Sequence, residues 1–338
     1  MVPGCLLETP IVKQGMDYFE TCLEEYIEMI TEITEIPAPS NHETLRTQYL
    51  KLKMAELGFP IVQTDAVGNV LGFFPGQDDS RIIVSMAHID TVFPIDTDLT
   101  VVRDGNILAA PGVSDNSASV ACMLLLGKIF LKNLPLPHPL LLIGNVGEEG
   151  LGDLRGARYF CEHVRDYNFE GFKLDSEKLV FLNIDGGMGH VVNGGIGSRR
   201  LRVEITAQGG HSWGAFGNSS AIHGLGTAIG KIAKIQVPGE PKTTYNVGVI
   251  QGGHSVNSIA QDAFMLIDMR SVAADPLVRL EQEVMEAIEQ AAMETNTQYD
   301  VKVVGDRPTG EISESSAYVS GLLNLGKEFG LKMSVGAS

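Results

Sequence analysis

"RIIVSMAHID" (81–90) is an apolar run that ends in a histidine and an aspartate, and "PLLLIGNVGEE" (139–149) repeats the arrangement with two glutamates. Neither run alternates apolar with polar residues, so each reads as a strand buried on both faces of a sheet. Open α/β sheets present ligand-binding residues just beyond the carboxyl ends of their strands. His88, Asp90, Glu148 and Glu149 therefore stand where such a sheet gathers its chemistry. Asp115 in "GVSDNS" (112–117) precedes a helix start, and Asp185 ends a third apolar run, "KLVFLNID" (178–185). One imidazole among several carboxylates suits a borderline or hard divalent metal, with zinc the first choice.

Outward from these strands, helical spacing covers 14–35 and stops at "IPAPS" (36–40), where two prolines end it. Ser40 and Asn41 are candidate caps for a second helix that closes near Leu57. Strands follow at 61–64, 69–74 and 81–87, then a helix over 117–132, strand 139–146, a helix over 153–165 and strand 178–185. Such alternation predicts an α/β fold, a largely parallel or mixed sheet with helices on both faces. From 195 the order becomes β-α-β-β-α-β, with strands at 199–208, 244–251, 262–270 and 298–304 and helices at 219–234 and 276–295. That order is a ferredoxin-like α+β sandwich, and it reads as inserted into the first domain. The expected organisation is 1–194 catalytic, 195–305 inserted, and 306–338 a return to the catalytic domain, with glycine-rich edges as hinges.

The chain has 338 residues, 44% of them hydrophobic, and a net charge of −17. Its mean hydropathy is +0.08. These values support sizeable cores and argue against disorder. The acidic balance disfavours nucleic acid and anionic membranes as partners. No apolar stretch is long enough to span a bilayer, and the first residues lack the pattern of a secretion signal. Gly4-Cys5 is not a lipid-attachment site on this reading. The four cysteines lack metal or disulfide spacing, and Cys122 and Cys161 are expected to be buried thiols. The expected setting is cytoplasmic.

Taken singly, each polar position has a plainer reading. His88 with Asp90 suits a core histidine beside a turn, and Asp115 a helix-start aspartate. Glu148-Glu149 could be an acidic turn and Asp185 a turn residue. Taken together they suit one site. His88 and Asp90 share a side of an extended segment, so Asp90 can fix the imidazole tautomer. Of two adjacent glutamates, one can bind an ion while the other moves a proton.

The series "HIDTVFP", "APGVSDNS", "NVGEEG" and "NIDGG", followed by "GSRRLRVEITAQGGHS", resembles the M20 family of dinuclear zinc peptidases and amidohydrolases. The resemblance implies a zinc-peptidase-like sheet carrying a lid and dimerisation domain at 195–305, hence a homodimer. It implies that His88 and Asp185 bind one metal, that Asp115 bridges to a second, and that Glu149 binds the second. Glu148 would then be general base and acid, with Asp90 orienting His88. The Asp115–Asn116 peptide would be cis. His211 would serve a neighbouring subunit's site as an oxyanion donor, and Asn257 and Arg270 would hold the substrate. The cofactors would be two divalent ions, zinc first, with cobalt or manganese as alternatives. The implied reaction is hydrolysis of an amide bond in a short peptide or N-acyl amino acid by metal-activated water. Aminopeptidase, carboxypeptidase, tripeptidase and deacylase all remain open, with peptidase preferred. His190, His223 and His254 read as structural.

Two departures from the family pattern stand out. Asn116-Ser117-Ala118 replaces the usual Lys-Gly after the bridging aspartate. The sequence also stops at "SVGAS" (334–338), where the family continues to a late histidine that completes the second metal site. The expectation is an incomplete second site and an open sheet edge. The alternative is then a catalytically impaired or non-catalytic binding or assembly protein, and a weaker one is an enzyme with a single metal.

Overall fold

The computed structural model describes residues 9–132 and 135–338, which form two compact units dividing after Met188. In the first unit, helices α1 (Pro10–Thr21), α2 (Leu23–Thr34) and α3 (Thr44–Glu56) precede strands β1 (Ile61–Thr64), β2 (Val70–Phe74) and β3 (Ile82–His88). Then come α4 (Ala118–Leu131), β4 (Leu140–Asn145), α5 (Arg155–Glu162) and β5 (Leu179–Phe181). The sheet runs β1-β2-β4-β3-β5. Its first two pairings are antiparallel and its last two parallel, so the sheet is mixed. Parallel β3 and β4 are joined through α4, as two parallel neighbours require.

Two cores cover the two faces. Along β2, Val70 and Phe74 face a core shared with α2, α3 and α4, while Leu71 and Phe73 face one shared with α5. β4 divides in the same way, with Leu140 and Leu142 on the first side and Leu141 and Ile143 on the second. This alternation is why runs so uniformly apolar can form strands: both sets of side chains are buried.

Four features differ from the sequence expectation. The helix expected over 14–35 is two helices, because the backbone leaves helical values at Cys22 (φ −105°, ψ 12°). The next helix begins at Thr44, since Ser40 is engaged elsewhere and Asn41 adopts a left-handed φ of 72°. Regular strand structure after 178 is confined to 179–181, although Leu182 N and Ile184 N still donate to Val84 O and Met86 O. Cys161 is exposed, not buried, because α5 buries only Gly156 and Phe160; Cys22 is buried and Cys122 partly so. Gly4-Cys5 lies outside the described residues.

The second unit contains β6 (His190–Gly195), β7 (Gly197–Thr206), α6 (Ala221–Ile232), β8 (Thr243–Gly252), β9 (Asp262–Ser271), α7 (Ala274–Thr295), β10 (Gln298–Arg307), α8 (Ala317–Glu328) and β11 (Ser334–Ala337). Its main sheet runs β8-β9-β7-β10, antiparallel throughout, the order of a ferredoxin-like sandwich. Leu201, Val203 and Ile205 of β7 face α6 and α7, while Arg200, Arg202 and Glu204 turn to the opposite, ion-paired face. β6 pairs separately with β11 and with 310–311, which brings the two flanks of the sandwich together. Among the described residues no helix is long and apolar enough to cross a membrane.

One close contact locks α4 to the sheet. The Phe59 ring lies where side chains on Gly72 of β2 and Gly127 of α4 would be; a Cβ on Gly127 would stand 2.1 Å from the ring. Phe59 is itself buried against Phe74, so it has no room to retreat. Gly127→Ala is therefore expected to destabilise the chain by about 1–3 kcal/mol in urea unfolding. An unchanged midpoint would contradict this packing.

Candidate metal centre

The first unit's parallel strands end side by side. His88 is in register with Asn145, and Ile89 N donates to Asn145 O, so the 88–90 and 146–149 segments leave the sheet together. The backbone after β5 follows β3 as far as Ile184, which brings Asp185 to the same edge. His88 Nε2 lies 2.9 Å from Asp115 Oδ1 and 3.9 Å from Asp185 Oδ1. Ligand atoms of His88, Asp115 and Glu149 all lie within 4.8 Å of one another. The Asp115–Asn116 peptide is cis.

Behind this group stands Asp90, whose carboxylate is wholly buried. Its Oδ2 accepts from Ser40 Oγ (2.6 Å) and Glu149 N (2.9 Å), and its Oδ1 from Glu148 N (2.9 Å). His88 Nδ1 donates to the Asp90 backbone oxygen at 3.0 Å and lies 3.5 Å from Oδ1. That leaves Nε2 as the imidazole atom facing the other carboxylates. Burial alone would raise the Asp90 pKa, but His88, Ser40 and the two backbone N–H groups hold it down to about 2.

The remaining groups divide by the donors they have. Burial opposes a charge on His88, yet the neighbouring Asp115 and Asp90 lift its pKa to about 10. The hydrogen bond to His88 lowers Asp115, against the effect of burial. Glu149 is raised by burial and then by Asp115 and Glu148; Asp185 is raised by burial and by Asp115. These carboxylates repel one another, and a cation among them would relieve that repulsion. An imidazole Nε2 facing the carboxylates of Asp115 and Glu149 is a donor set that fits a divalent ion.

Several supporting residues were not singled out from the sequence. Arg46, buried in α3, donates from Nε to Ile36 O, from Nη1 to Ile89 O and from Nη2 to Thr34 O. It shares a helical stripe with buried Leu50 and Met54, a spacing that could have marked it as inward-facing. Buried Asn69 accepts from Val146 N and donates to Gly156 O, bracing the loop that carries the glutamates. Its amide approaches so closely that a Cβ on Gly156 would meet Asn69 Oδ1 at 2.2 Å. Buried Glu43 pairs with Arg155 through both carboxylate oxygens at 3.0 Å, and Arg155 N donates to Gly147 O. Polar residues adjoining a strand or helix start gave no periodic signal of these pairings.

In the second unit a two-residue ladder sets Gly210-His211 against Ser258-Ile259, and Ser212 N donates to Asn257 O. His211 and Asn257 are thus neighbours. His211 Nδ1 accepts from Trp213 N and Gly214 N, both at 3.3 Å, so the ring proton sits on the exposed Nε2. Arg270 is elsewhere. It lies eight positions along β9 from Asp262, about 27 Å at strand spacing, and its Nε donates to Asp268 Oδ2 at 2.7 Å.

Comparison with known proteins follows this division. Residues 69–191 match the description of peptidase family M28, and residues 193–296 match the M20 peptidase dimerisation domain. The protein YqjE of Bacillus subtilis is 25% identical over 293 residues, 83% of this chain and 74% of its own length. A probable carboxypeptidase of Arthroderma otae is 27% identical over 262 residues, 71% of this chain but only 54% of its own. In fold, a Staphylococcus aureus tripeptidase is similar with a TM-score of 0.71 at 18% identity, covering 93% of this chain and 84% of that one. Human carnosine dipeptidase 1 is similar with a TM-score of 0.73 at 13% identity, covering 97% and 87%. With adjoining matches to a peptidase family M28 segment and to the M20 dimerisation domain, and folds shared with solved peptidases, the chain is similar to the M20 metallopeptidases and amidohydrolases and is a metallopeptidase-type hydrolase.

Proposed function

We propose that this chain hydrolyses an amide bond in a short peptide or an N-acyl amino acid. The observation that carries the proposal is the close gathering of His88, Asp115 and Glu149 with Glu148 beside them on a loop whose backbone is pinned by Asp90. His88, Asp115, Glu149 and Asp185 would hold two divalent ions, zinc first, with Asp115 shared between them. Bound there, the ions supply Lewis acidity toward a substrate carbonyl and a water molecule.

The chain's own residues do the rest. Glu148 takes a proton from the attacking water at a carboxylate oxygen and delivers it to the departing nitrogen as the C–N bond breaks. Asp90 keeps His88 Nδ1 occupied, so Nε2 stays directed at the ligand cluster. His211 donates its Nε2–H to the carbonyl oxygen as negative charge develops there. Asn257 holds a substrate amide and Arg270 a substrate carboxylate; Arg270's place at the far end of β9 suits service to a different copy's site from that of His211. The M20 dimerisation match supports such a homodimer. Residues 190–195, 310–311 and 334–337 pair with one another within the second unit, so the assignment of 306–338 to the catalytic domain is carried by the family resemblance.

Glu148→Gln is expected to lower kcat by about 10²–10⁴-fold on a dipeptide or N-acetyl amino acid while bound metal per chain is unchanged. Equal loss of metal would show Glu148 to be a ligand instead. Asp90→Asn gives up one of the acceptors that Ser40 and two backbone N–H groups share, and metal affinity should fall about 10–100-fold by competition with a chromogenic chelator. Wild-type chain that carries its ions and turns over no amide would establish binding without catalysis.

A further inference from the structure

The loop that presents His211 is closed and internally bonded. Gly209 N donates to Ser219 O, Asn218 Nδ2 to Gly209 O, and Ala215 N to His211 O. Its side chains consequently face outward. Trp213 is 90% exposed, Phe216 91%, and Val256, beside Asn257 across the ladder, is fully exposed. Rigid aromatic groups displayed around a polar centre mark a binding surface. No Asp, Glu, Lys or Arg occurs in 205–230 or 247–261, although the chain as a whole carries −17. These two segments therefore carry no carboxylate, ammonium or guanidinium of their own; Asp262, just beyond them, lies 3.8 Å from His254.

We propose that Trp213, Phe216 and Val256 bind an uncharged apolar side chain next to the amide that His211 engages, making the chain selective for apolar short peptides or N-acyl apolar amino acids. This rests on the hydrolase reading above. Trp213 is coupled to that chemistry directly, because its backbone N–H is one of the two that hold His211 Nδ1. The area of the surface fits a substrate residue. Two aromatic side chains offer roughly 300–500 Å², well below the roughly 800 Å² per partner of a stable protein interface.

Trp213 is the chain's single tryptophan, so its fluorescence reports this surface alone. The test uses metal-loaded full chain with a non-hydrolysable phosphinic analogue of leucyl-leucine and the matching glutamyl analogue. The leucyl compound should shift the emission to shorter wavelength and the glutamyl one should not. In kinetics, Trp213→Ala and Phe216→Ala should lower the ratio of kcat/KM for leucine-containing over glycine-containing substrate by about 10–100-fold. Trp213→Phe should restore the ratio while abolishing the signal. Emission indifferent to the leucyl analogue, or a ratio untouched in both alanine variants of an active enzyme, would overturn the proposal. So would an emission shift driven by protein concentration alone, with dissociation of a dimer by Trp213→Ala, which assigns the loop to self-association. A wild type that turns over no amide defeats the hydrolase reading; the fluorescence response then decides separately whether the apolar surface exists.

Discussion

A carboxylate with no solvent contact persists only where its lone pairs are taken up by donors, and Asp90 meets that condition by drawing on three separate segments of chain. Ser40 comes from the turn after α2, the N–H groups of Glu148 and Glu149 from the turn after β4, and His88 from its own strand end. Each donor is thereby fixed relative to the others. Arg46 secures the same place from behind by binding the carbonyls of Thr34, Ile36 and Ile89. The guanidinium is buried deeply enough to lower its own pKa to about 10, with Asp90 opposing that shift. A buried cation and a buried anion thus hold one peptide segment between them, and the strand end carrying His88 has little freedom to reorient.

The carboxylates around His88 differ because their donors differ. Asp90 and Asp115 have specific hydrogen-bond partners and are held low; Glu149 is pushed up by burial, Asp115 and Glu148, and Asp185 by burial and Asp115. The sheet explains the contrast. Asp90 points back among backbone N–H groups at the ends of β3 and β4, where donors are plentiful. Glu149 and Asp185 keep raised values even though Gly186 N–H reaches Asp185, and a cation among these carboxylates would relieve their mutual repulsion.

Much of this was legible in the sequence because it rests on burial. The runs at 81–87 and 139–146 read as strands because they are apolar on both alternating sets of positions, with Ser85 and Asn145 the polar residues buried in them, and the residues that follow them meet because parallel strands end together. The β-α-β-β-α-β order likewise follows from periodicity. What escaped depends on polar pairing across distant segments. Ser40 resembles a helix cap by type and position, yet its hydroxyl is committed to Asp90. Arg46 lies on a buried stripe, but only the fold reveals carbonyls waiting there. The Gly210-His211 ladder is two residues long, too short for any alternation to announce. The break at Cys22 interrupts a pattern that apolar spacing alone continues.

The two units also differ in how they use charge, and this bears on what each can recognise. In the first, His88 is flanked by buried Asp90 on one side and by the more open carboxylates of Asp115, Glu149 and Asp185 on the other. In the second, ion pairs such as Arg200–Asp268 and Arg270–Asp268 lie on the open face of the sheet, while segments 205–230 and 247–261, which carry His211 and Asn257, contain no Asp, Glu, Lys or Arg. An imidazole whose Nδ1 is taken up by two backbone N–H donors presents Nε2–H outward without help from a neighbouring carboxylate. A charged neighbour would compete for the developing oxyanion or attract water to it. On the proposed reading, an apolar substrate side chain laid on this exposed aromatic rim would exclude water there and leave the Nε2–H to act on a carbonyl oxygen, so selectivity for apolar side chains and stabilisation of the oxyanion would arise from the same few residues.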